Sequence, residues 1–317
     1  MRIIGTGSVL PETTVTNDML SQFLETDDEW ISSRTGIKTR QVVTNESFEE
    51  LSAKAVMAAV EDSNINLEDI DLFICSSTMS PYLTPAFSCV VSEILGLNCR
   101  CFDINAGCSG FISALEIANS YLKSDSATRV LILCAENMTR MVDWTDRSTC
   151  VLFGDGIGAV IVDAEDSFLS ITSGRYDNGD SLVMKSPGGN SPFMPKDEDN
   201  HYLVMKGRDV FKKAIEAINH DLKKAVFESK VMIEKINHFL LHQANLRIIA
   251  SAAKSLKVPI KKFRNNISNR GNTSSASVPI LIDELNKSGL LKQGDIIAMA
   301  VFGAGFLSGA SVFKWAK

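Results

Sequence analysis

The sequence predicts an α/β protein made of two similar halves, and two observations lead there. Short apolar runs such as 71–77 and 129–135 alternate with longer amphipathic stretches such as 47–63, where Leu51, Ala55, Ala58 and Ala59 recur at helical spacing. The pattern also repeats. Residues 71–76 align with 237–242, and 131–135 with 297–301, each at an offset of 166. In both halves a long amphipathic helix precedes the first strand. A helix, a second strand and a small-residue turn into another helix follow it. The halves are taken as 1–170 and 171–317. At 317 residues, 45% hydrophobic and 22% charged, the chain suffices for one large or two medium domains.

The elements follow in order. Residues 1–10 read as a strand in which Gly5 and Gly7 permit close packing. Thr16, Asn17 and Asp18 can cap a helix over 18–25. Residues 26–30 open a second short helix with acids in its first turn, and 34–40 turn into an extended segment. After the helix at 47–63 comes a buried strand at 71–77, then a loop at 78–86 carrying Pro81 and Pro85. A helix runs through Val90, Val91, Ile94 and Leu95 to a terminal Gly96. Residues 100–103 are strand-like, 112–122 helical and 129–135 a buried strand, and 153–162 is a Gly-rich turn into a strand. The stretch 174–208, with Pro187, Gly188, Gly189, Pro192 and Pro195, reads as irregular, a linker or functional insertion. Helices are predicted at 209–226, 245–256 and 276–287, and strands at 237–241, 263–267, 295–302 and 309–315.

Composition narrows the classes. A net charge of −6 argues against a general nucleic-acid binder. The first residues lack the apolar core of a secretory signal. No apolar run reaches the ~18 residues that span a membrane. Cys75, Cys89, Cys99, Cys101, Cys108, Cys134 and Cys150 are odd in number and mostly set in apolar, strand-like surroundings. That fits reduced thiols in a cytoplasm better than a disulfide framework. Cys99 and Cys101 flank one residue, but no His/Cys set completes a zinc site, so no metal is expected.

The chemistry centres on Cys108, between small residues where a strand turns into a helix. The helix dipole there favours thiolate, and small neighbours let substrate and backbone N–H groups approach. A buried structural cysteine is the alternative reading. In the second half the matching turn is 269–275, and Asn272 lies 164 residues from Cys108. Cys108 and Asn272 should therefore head equivalent helices, and His242 should follow the end of the strand equivalent to 71–75. Packed about a pseudo-twofold axis, the three can converge at strand carboxyl ends. A thiolate can carry an acyl group, while imidazole and carboxamide can donate hydrogen bonds to a thioester carbonyl. Such donors would stabilise an enolate formed by loss of CO2 from a malonyl group. Taken singly, His242 could be a hydrogen-bonded structural residue and Asn272 a turn or N-cap residue. The turn 301–306, Val-Phe-Gly-Ala-Gly-Phe, offers further N–H groups for an oxyanion hole, or is simply a tight turn.

The stretches Asp28-Glu29-Trp30-Ile31, Arg34-Thr35-Gly36-Ile37, Asn105-Ala106-Gly107-Cys108, and Asp146-Arg147 with Phe153-Gly154-Asp155-Gly156 occur in this order. His242-Gln243-Ala244-Asn245, Gly271-Asn272-Thr273-Ser274 and Phe302-Gly303-Ala304-Gly305-Phe306 follow. Together they make the chain resemble, over essentially its whole length, the β-ketoacyl-(acyl carrier protein) synthase III family. The resemblance implies a thiolase-like fold, two halves related by pseudo-twofold symmetry in five layers, α-β-α-β-α. It implies that Cys108 takes an acyl group from acyl-CoA, and that His242 and Asn272 support decarboxylation of malonyl-acyl carrier protein. N–H groups of Cys108 and Ala304 would hold the oxyanion. Ala304 stands where many relatives have Gly; the N–H survives, provided the local φ is negative. Elongating synthases use two histidines and biosynthetic thiolases a second cysteine, whereas here Gly271-Asn272 holds the third position.

The same resemblance assigns Trp30, Arg34 and Arg147 to the CoA nucleotide, and Gly207 and Asn245 to the pantetheine tunnel. Arg208 departs from the family's Asn and can serve the CoA phosphates instead. Gln243, Ala244, Asn245, Leu246, Arg247 and Lys212 fall at carrier-protein contacts. From Arg247 to Arg270 every charge is positive, and Lys212 and Lys213 add to it. This is a docking patch for an acidic carrier protein, or a solvated face. The loop 79–87 should reach a partner subunit's pocket in a family-like homodimer. Thr84 aligns with a Phe of acetyl-preferring relatives, which implies tolerance of longer or branched starters. No permanently bound cofactor is implied, and the enzyme would be cytoplasmic. The alternatives are a ketosynthase-III-like acyl transferase or condensing enzyme of secondary metabolism, a Cys–His–Asn hydrolase, and a non-catalytic carrier-binding module.

Overall fold

A Cβ on Gly5 or Gly7 would stand 2.3 Å from the carbonyl oxygen of Ala59 or Ala55, so the first strand lies flat against its covering helix. The computed structural model describes residues 1–176, 179–186, 192–193 and 201–317. The chain begins β1 (Arg2–Val9), β2 (Thr13–Thr16), α1 (Asn17–Leu20), α2 (Asp28–Thr35), β3 (Thr39–Val42), α3 (Phe48–Ser63) and β4 (Leu72–Ser76). It continues α4 (Phe87–Leu95), β5 (Arg100–Ile104), α5 (Gly110–Lys123), β6 (Arg129–Asn137) and β7 (Asp155–Asp163). Then come β8 (Phe168–Arg175), β9 (Leu182–Val183), β10 (Val204–Met205), α6 (Gly207–Ser229), β11 (His238–Leu241) and α7 (Leu246–Leu256). The last elements are β12 (Phe263–Arg264), α8 (Ile267–Arg270), α9 (Ser277–Lys287), β13 (Ile296–Gly303) and β14 (Leu307–Lys314).

Two five-stranded sheets carry the same topology. The first runs β1-β7-β6-β4-β5 and the second β8-β14-β13-β11-β12. In each, the first three strands pair antiparallel and the last three parallel. Strand alternation separates three apolar layers. Phe73, Leu131 and Ile161 face α3 and α4, with Val56 and Val91. Ile74, Ile132 and Val160 face the middle layer, where Phe111 and Leu115 of α5 meet Ile280 and Leu285 of α9. The second sheet presents Ile297 and Met299 to the same layer, and Ala298 and Ala300 to α6 and α7. The layers are thus α3/α4, sheet, α5/α9, sheet, α6/α7, which is the five-layered α/β fold that the resemblance implies.

Several expectations need correction. Val130 pairs with Leu72 and Ile297 with His238, so Val130, not Leu131, corresponds to Ile297. The repeat is 166 residues at the first strand pair and 167 at the second. The predicted helix at 18–25 is only α1, capped by the Thr16 hydroxyl, because residues 21–25 form turns. Strand β8 was not expected, since its sequence FLSITSGR carries only three large apolar residues. It pairs with β14 at the edge of its sheet. The stretch 174–208 holds a small β9–β10 hairpin. Pro187, Gly188, Gly189 and Pro195 lie outside the described residues. The strand predicted at 263–267 ends at Arg264, and α8 takes over at Ile267. Helix α6 is longer than predicted at both ends.

Candidate active site

Two short turns head the helices of the middle layer, and they are built alike. Gly107–Ser109 precedes α5 and Ser274–Ala276 precedes α9, an offset of 167. Gly107 has φ +52° and Ser274 φ +48°. Gly107 donates its N–H to Oδ1 of Asn105 at 3.2 Å, and Ser274 donates its own to Oδ1 of Asn272 at 2.9 Å. Cys108 and Asn272 therefore do belong to equivalent helix heads, but not to equivalent positions. The counterpart of Cys108 is Ser275, and that of Asn272 is Asn105.

Cys108, His242 and Asn272 line one cavity of about 750 Å³, its open mouth included. Thr78, Ser274, Phe302, Gly303 and Ala304 share its wall, and Met138, Met141, Leu203 and Met205 make it apolar. Burial pushes the Cys108 thiol up to about 12, although the Ser274 hydroxyl, 3.3 Å from Sγ, and its own N–H act the other way. Burial thus works against the thiolate that the helix dipole was expected to favour.

His242 follows β11, its N–H bonded to the Ala300 carbonyl at 2.9 Å. It is 1% exposed, and burial lowers it to about 3, so the ring is neutral. Nδ1 meets the Ser277 hydroxyl at 2.7 Å, and that hydroxyl also accepts the Gln243 N–H at 3.3 Å. A hydroxyl that donates to Nδ1 while it accepts from Gln243 satisfies both contacts. The proton of the ring is then on Nε2. Asn272 is fixed likewise: Oδ1 takes the Ser274 N–H, which leaves Nδ2 as its donor. Two neutral donors on one wall suit a carbonyl oxygen that gains charge.

Gly303 ends β13 beneath the Cys108 turn. A Cβ there would come 2.8 Å from the Cys108 nitrogen, so only glycine fits. Ala304 is absent from the residues with positive φ, and its N–H survives as the substitution for glycine requires. Its nitrogen lies 3.3 Å from where a Cβ on Gly107 would stand, beside the nucleophile turn.

The comparisons agree with this geometry. Residues 102–176 match the family model for 3-oxoacyl-[acyl-carrier-protein (ACP)] synthase III, and 226–315 match its C-terminal counterpart. The chain is 44% identical to the β-ketoacyl-[acyl-carrier-protein] synthase III of Clostridium acetobutylicum, covering 100% of this chain and 99% of the relative. It belongs to the synthase III family. The crystal structure of 3-oxoacyl-[acyl-carrier-protein] synthase III from Aquifex aeolicus superposes with TM-score 0.91 at 37% identity, over 99% of each chain. The priming β-ketosynthase of the R1128 polyketide pathway gives 0.92 at 31%, over 100% of this chain and 96% of that one.

Within that family frame the remaining residues sort by position. At one rim Trp30 is half-buried, with the guanidinium of Arg34 4.6 Å and that of Arg147 5.0 Å from its ring. Arg147 also donates to the Glu25 carbonyl. Gly207, Ala244 and Asn245 line the cavity. Asn245 caps α7 by accepting the Arg247 N–H at 2.8 Å, and its Nδ2 donates to the Arg34 carbonyl at 3.1 Å. It therefore joins the Trp30 rim to the wall. Arg208 and Lys212 are exposed, as are Leu246 and Arg247, the latter 5.5 Å over the Phe211 ring. Gln243 departs from its assignment. It is 0% exposed, with Nε2 bonded to the Leu241 carbonyl and Oε1 to the Asn266 N–H, so it cannot meet a carrier protein. It supports His242 instead, through the Ser277 bond. Thr84 is exposed and is not among the cavity-lining residues.

Sequence reasoning missed Ser277, Ser274, Thr78 and Glu136. Serines two and five residues beyond Asn272 carried no signal that could separate them from N-terminal helix residues. Glu136 carried one: an acid closing an apolar strand.

Proposed function

We propose that this chain condenses an acyl-CoA starter with malonyl-acyl carrier protein, with loss of CO2, as the β-ketoacyl-(acyl carrier protein) synthase step that initiates fatty-acid synthesis. The observation that carries this is the meeting of Cys108, His242 and Asn272 on one apolar cavity in a chain of this family. Sγ of Cys108 attacks the acyl-CoA carbonyl and CoA leaves. The cavity then takes the malonyl thioester. Nε2–H of His242 and Nδ2–H of Asn272 hold its carbonyl oxygen as CO2 departs, and the carbanion attacks acyl-Cys108. The N–H groups of Cys108 and Ala304 hold the oxyanion. Side chains and backbone N–H groups of this chain supply the chemistry, and no cofactor is required.

CoA binds with its nucleotide at Trp30, Arg34 and Arg147, and both donors thread pantetheine past Gly207 and Asn245. The carrier protein docks on Ala244, Asn245, Leu246, Arg247 and Lys212. The halves 1–170 and 171–317 each contribute one helix head to the site. We take the enzyme to be a cytoplasmic homodimer. Strand β5 is an outer edge and Leu83 is 101% exposed, which supports a partner on that side. No helix among the described residues is long and apolar enough to cross a membrane. The curated relative at 44% identity over the whole chain bears the synthase III name, which favours fatty-acid initiation over secondary metabolism.

The test is condensation with malonyl-acyl carrier protein across a panel of acyl-CoAs. CO2 release and a 3-oxoacyl product are expected, with longer or branched starters accepted. Hydrolysis of acyl-CoA without CO2 would overturn the reading, and strict acetyl preference would overturn the starter range alone.

A further inference from the structure

Behind Cys108 a buried carboxylate ends a chain of hydroxyl groups, and the condensation as described makes no use of it. Glu136 sits at the carboxyl end of β6. Alternation with Val130, Ile132 and Cys134 turns it toward the middle layer, and it is 0% exposed. Its partners are the N–H and the hydroxyl of Thr78, each at 3.0 Å, and the N–H and hydroxyl of Ser275 at 3.3 and 2.6 Å. Four donors and no cation satisfy a buried carboxylate anion. The Thr78 hydroxyl also lies 3.3 Å from the Ser274 hydroxyl, which lies 3.3 Å from Sγ of Cys108. A continuous hydrogen-bonded path thus joins the thiol to the carboxylate. The Cys108 proton must go somewhere during acylation. His242 is a poor acceptor, being held neutral by burial with Nδ1 occupied by Ser277.

We propose that Glu136 stores the proton of Cys108 during each turnover, acting through Ser274 and Thr78. At rest the Ser274 hydroxyl donates to Sγ; for transfer to an ionised Glu136 that hydroxyl turns, so that S–H donates to Ser274, Ser274 to Thr78 and Thr78 to the carboxylate. When Sγ attacks the acyl-CoA carbonyl, the S–C bond forms and the C–S bond to CoA breaks. One proton shifts along each link, leaving Glu136 protonated, and the CoA thiolate takes a proton from water. In condensation the carbanion forms the new C–C bond, and the Cys108 thiolate leaves with its electron pair. The chain reverses and Glu136 returns the proton. Each cycle consumes one proton from water, as loss of CO2 from a carboxylate requires. Glu136 is a positioning residue in this scheme, since it touches no reacting atom.

The surroundings suit the role. The titratable groups on the same face as Glu136 are the thiols of Cys134 on β6 and Cys108, and Cys75 lies on the opposite face of β4; all three are pushed upward by burial and so uncharged. Asp103 stands beyond Cys75. Burial raises Glu136 itself to about 6, within reach of both protonation states near neutral pH.

This inference rests on Cys108 being the acylated residue. The test is single-turnover acylation by radiolabelled acyl-CoA from pH 5 to 9, with peptide mapping of the label. The wild-type rate should rise as Glu136 loses its proton. Glu136→Gln keeps the volume but takes up no proton, so the rate should fall about a hundredfold and that limb should vanish. Glu136→Asp should restore the limb. Thr78→Val and Ser274→Ala cut the path with Glu136 in place, and each should lose the same limb. These two decide the matter alone if a melt shows Glu136→Gln to be unfolded. An unchanged pH profile in Glu136→Gln, or in the two path variants, overturns the relay whatever the rate. Label on a residue other than Cys108 overturns the nucleophile assignment instead.

Discussion

The Ser277 hydroxyl lies 2.7 Å from Nδ1 of His242, placed to donate to it and so to hold the ring proton on Nε2. The same hydroxyl accepts the Gln243 N–H, and its O–H is available to the imidazole. Ser277→Ala frees Nδ1 and lets the tautomer exchange. Decarboxylation of malonyl-acyl carrier protein should fall about tenfold, the worth of one well-placed hydrogen bond. Acylation of Cys108 should change little. Separate assays of the two half-reactions check this, and equal loss in both would count against it.

Glu136 makes stability depend on pH in a direction opposite to that of most carboxylates. Its folded value is raised to about 6 from 4.5. The folded state therefore holds a proton that the unfolded chain has lost. The stabilisation is full below 4.5 and disappears as pH rises through 6. Between pH 4 and pH 8 the wild type should lose about 2 kcal/mol relative to Glu136→Gln. Denaturant titrations of both proteins at the two pH values measure it, and a constant difference would contradict it.

The Trp30 ring has guanidinium groups 4.6 and 5.0 Å away, a ready platform for a flat base. Trp30→Ala should raise KM for acyl-CoA about tenfold. The same variant should treat an acyl-pantetheine lacking the nucleotide like wild type. A matched rise with both substrates would place Trp30 in folding rather than recognition.

Arg247 is exposed at the start of α7, beside Phe211 on the cavity wall. Arg247→Glu should weaken use of malonyl-acyl carrier protein about tenfold, the cost of reversing one charge against an acidic partner. Acylation by acyl-CoA should be largely intact. Steady-state KM for the carrier substrate, compared at low and high salt, checks the electrostatic origin.

Much of the fold was legible because it rests on periodicity. The apolar strands, the amphipathic helices and the repeat all appear in one dimension, and so do Cys108, His242 and Asn272 with their small-residue turns. Strand β8 was hidden because an edge strand needs few large side chains. Gln243 was assigned to the carrier contact by the family resemblance, yet a backbone amide and a carbonyl hold its side chain inside.

By itself the sequence determined the alternation of strands and helices, the internal repeat and the chemical types of Cys108, His242 and Asn272, since periodicity and residue chemistry are local properties, while the five layers were implied by the family resemblance. Only the tertiary structure decided what state those side chains are in. Burial favours the neutral forms of Cys108 and His242, because a charge taken out of water costs free energy. It also set Ser275 opposite Cys108 in the repeat, and Gly303 beneath Cys108. Glu136 lies under Ser275, and Ser274 and Thr78 complete the path to the thiol. Those contacts join residues far apart in sequence, and no spacing rule along the chain encodes them.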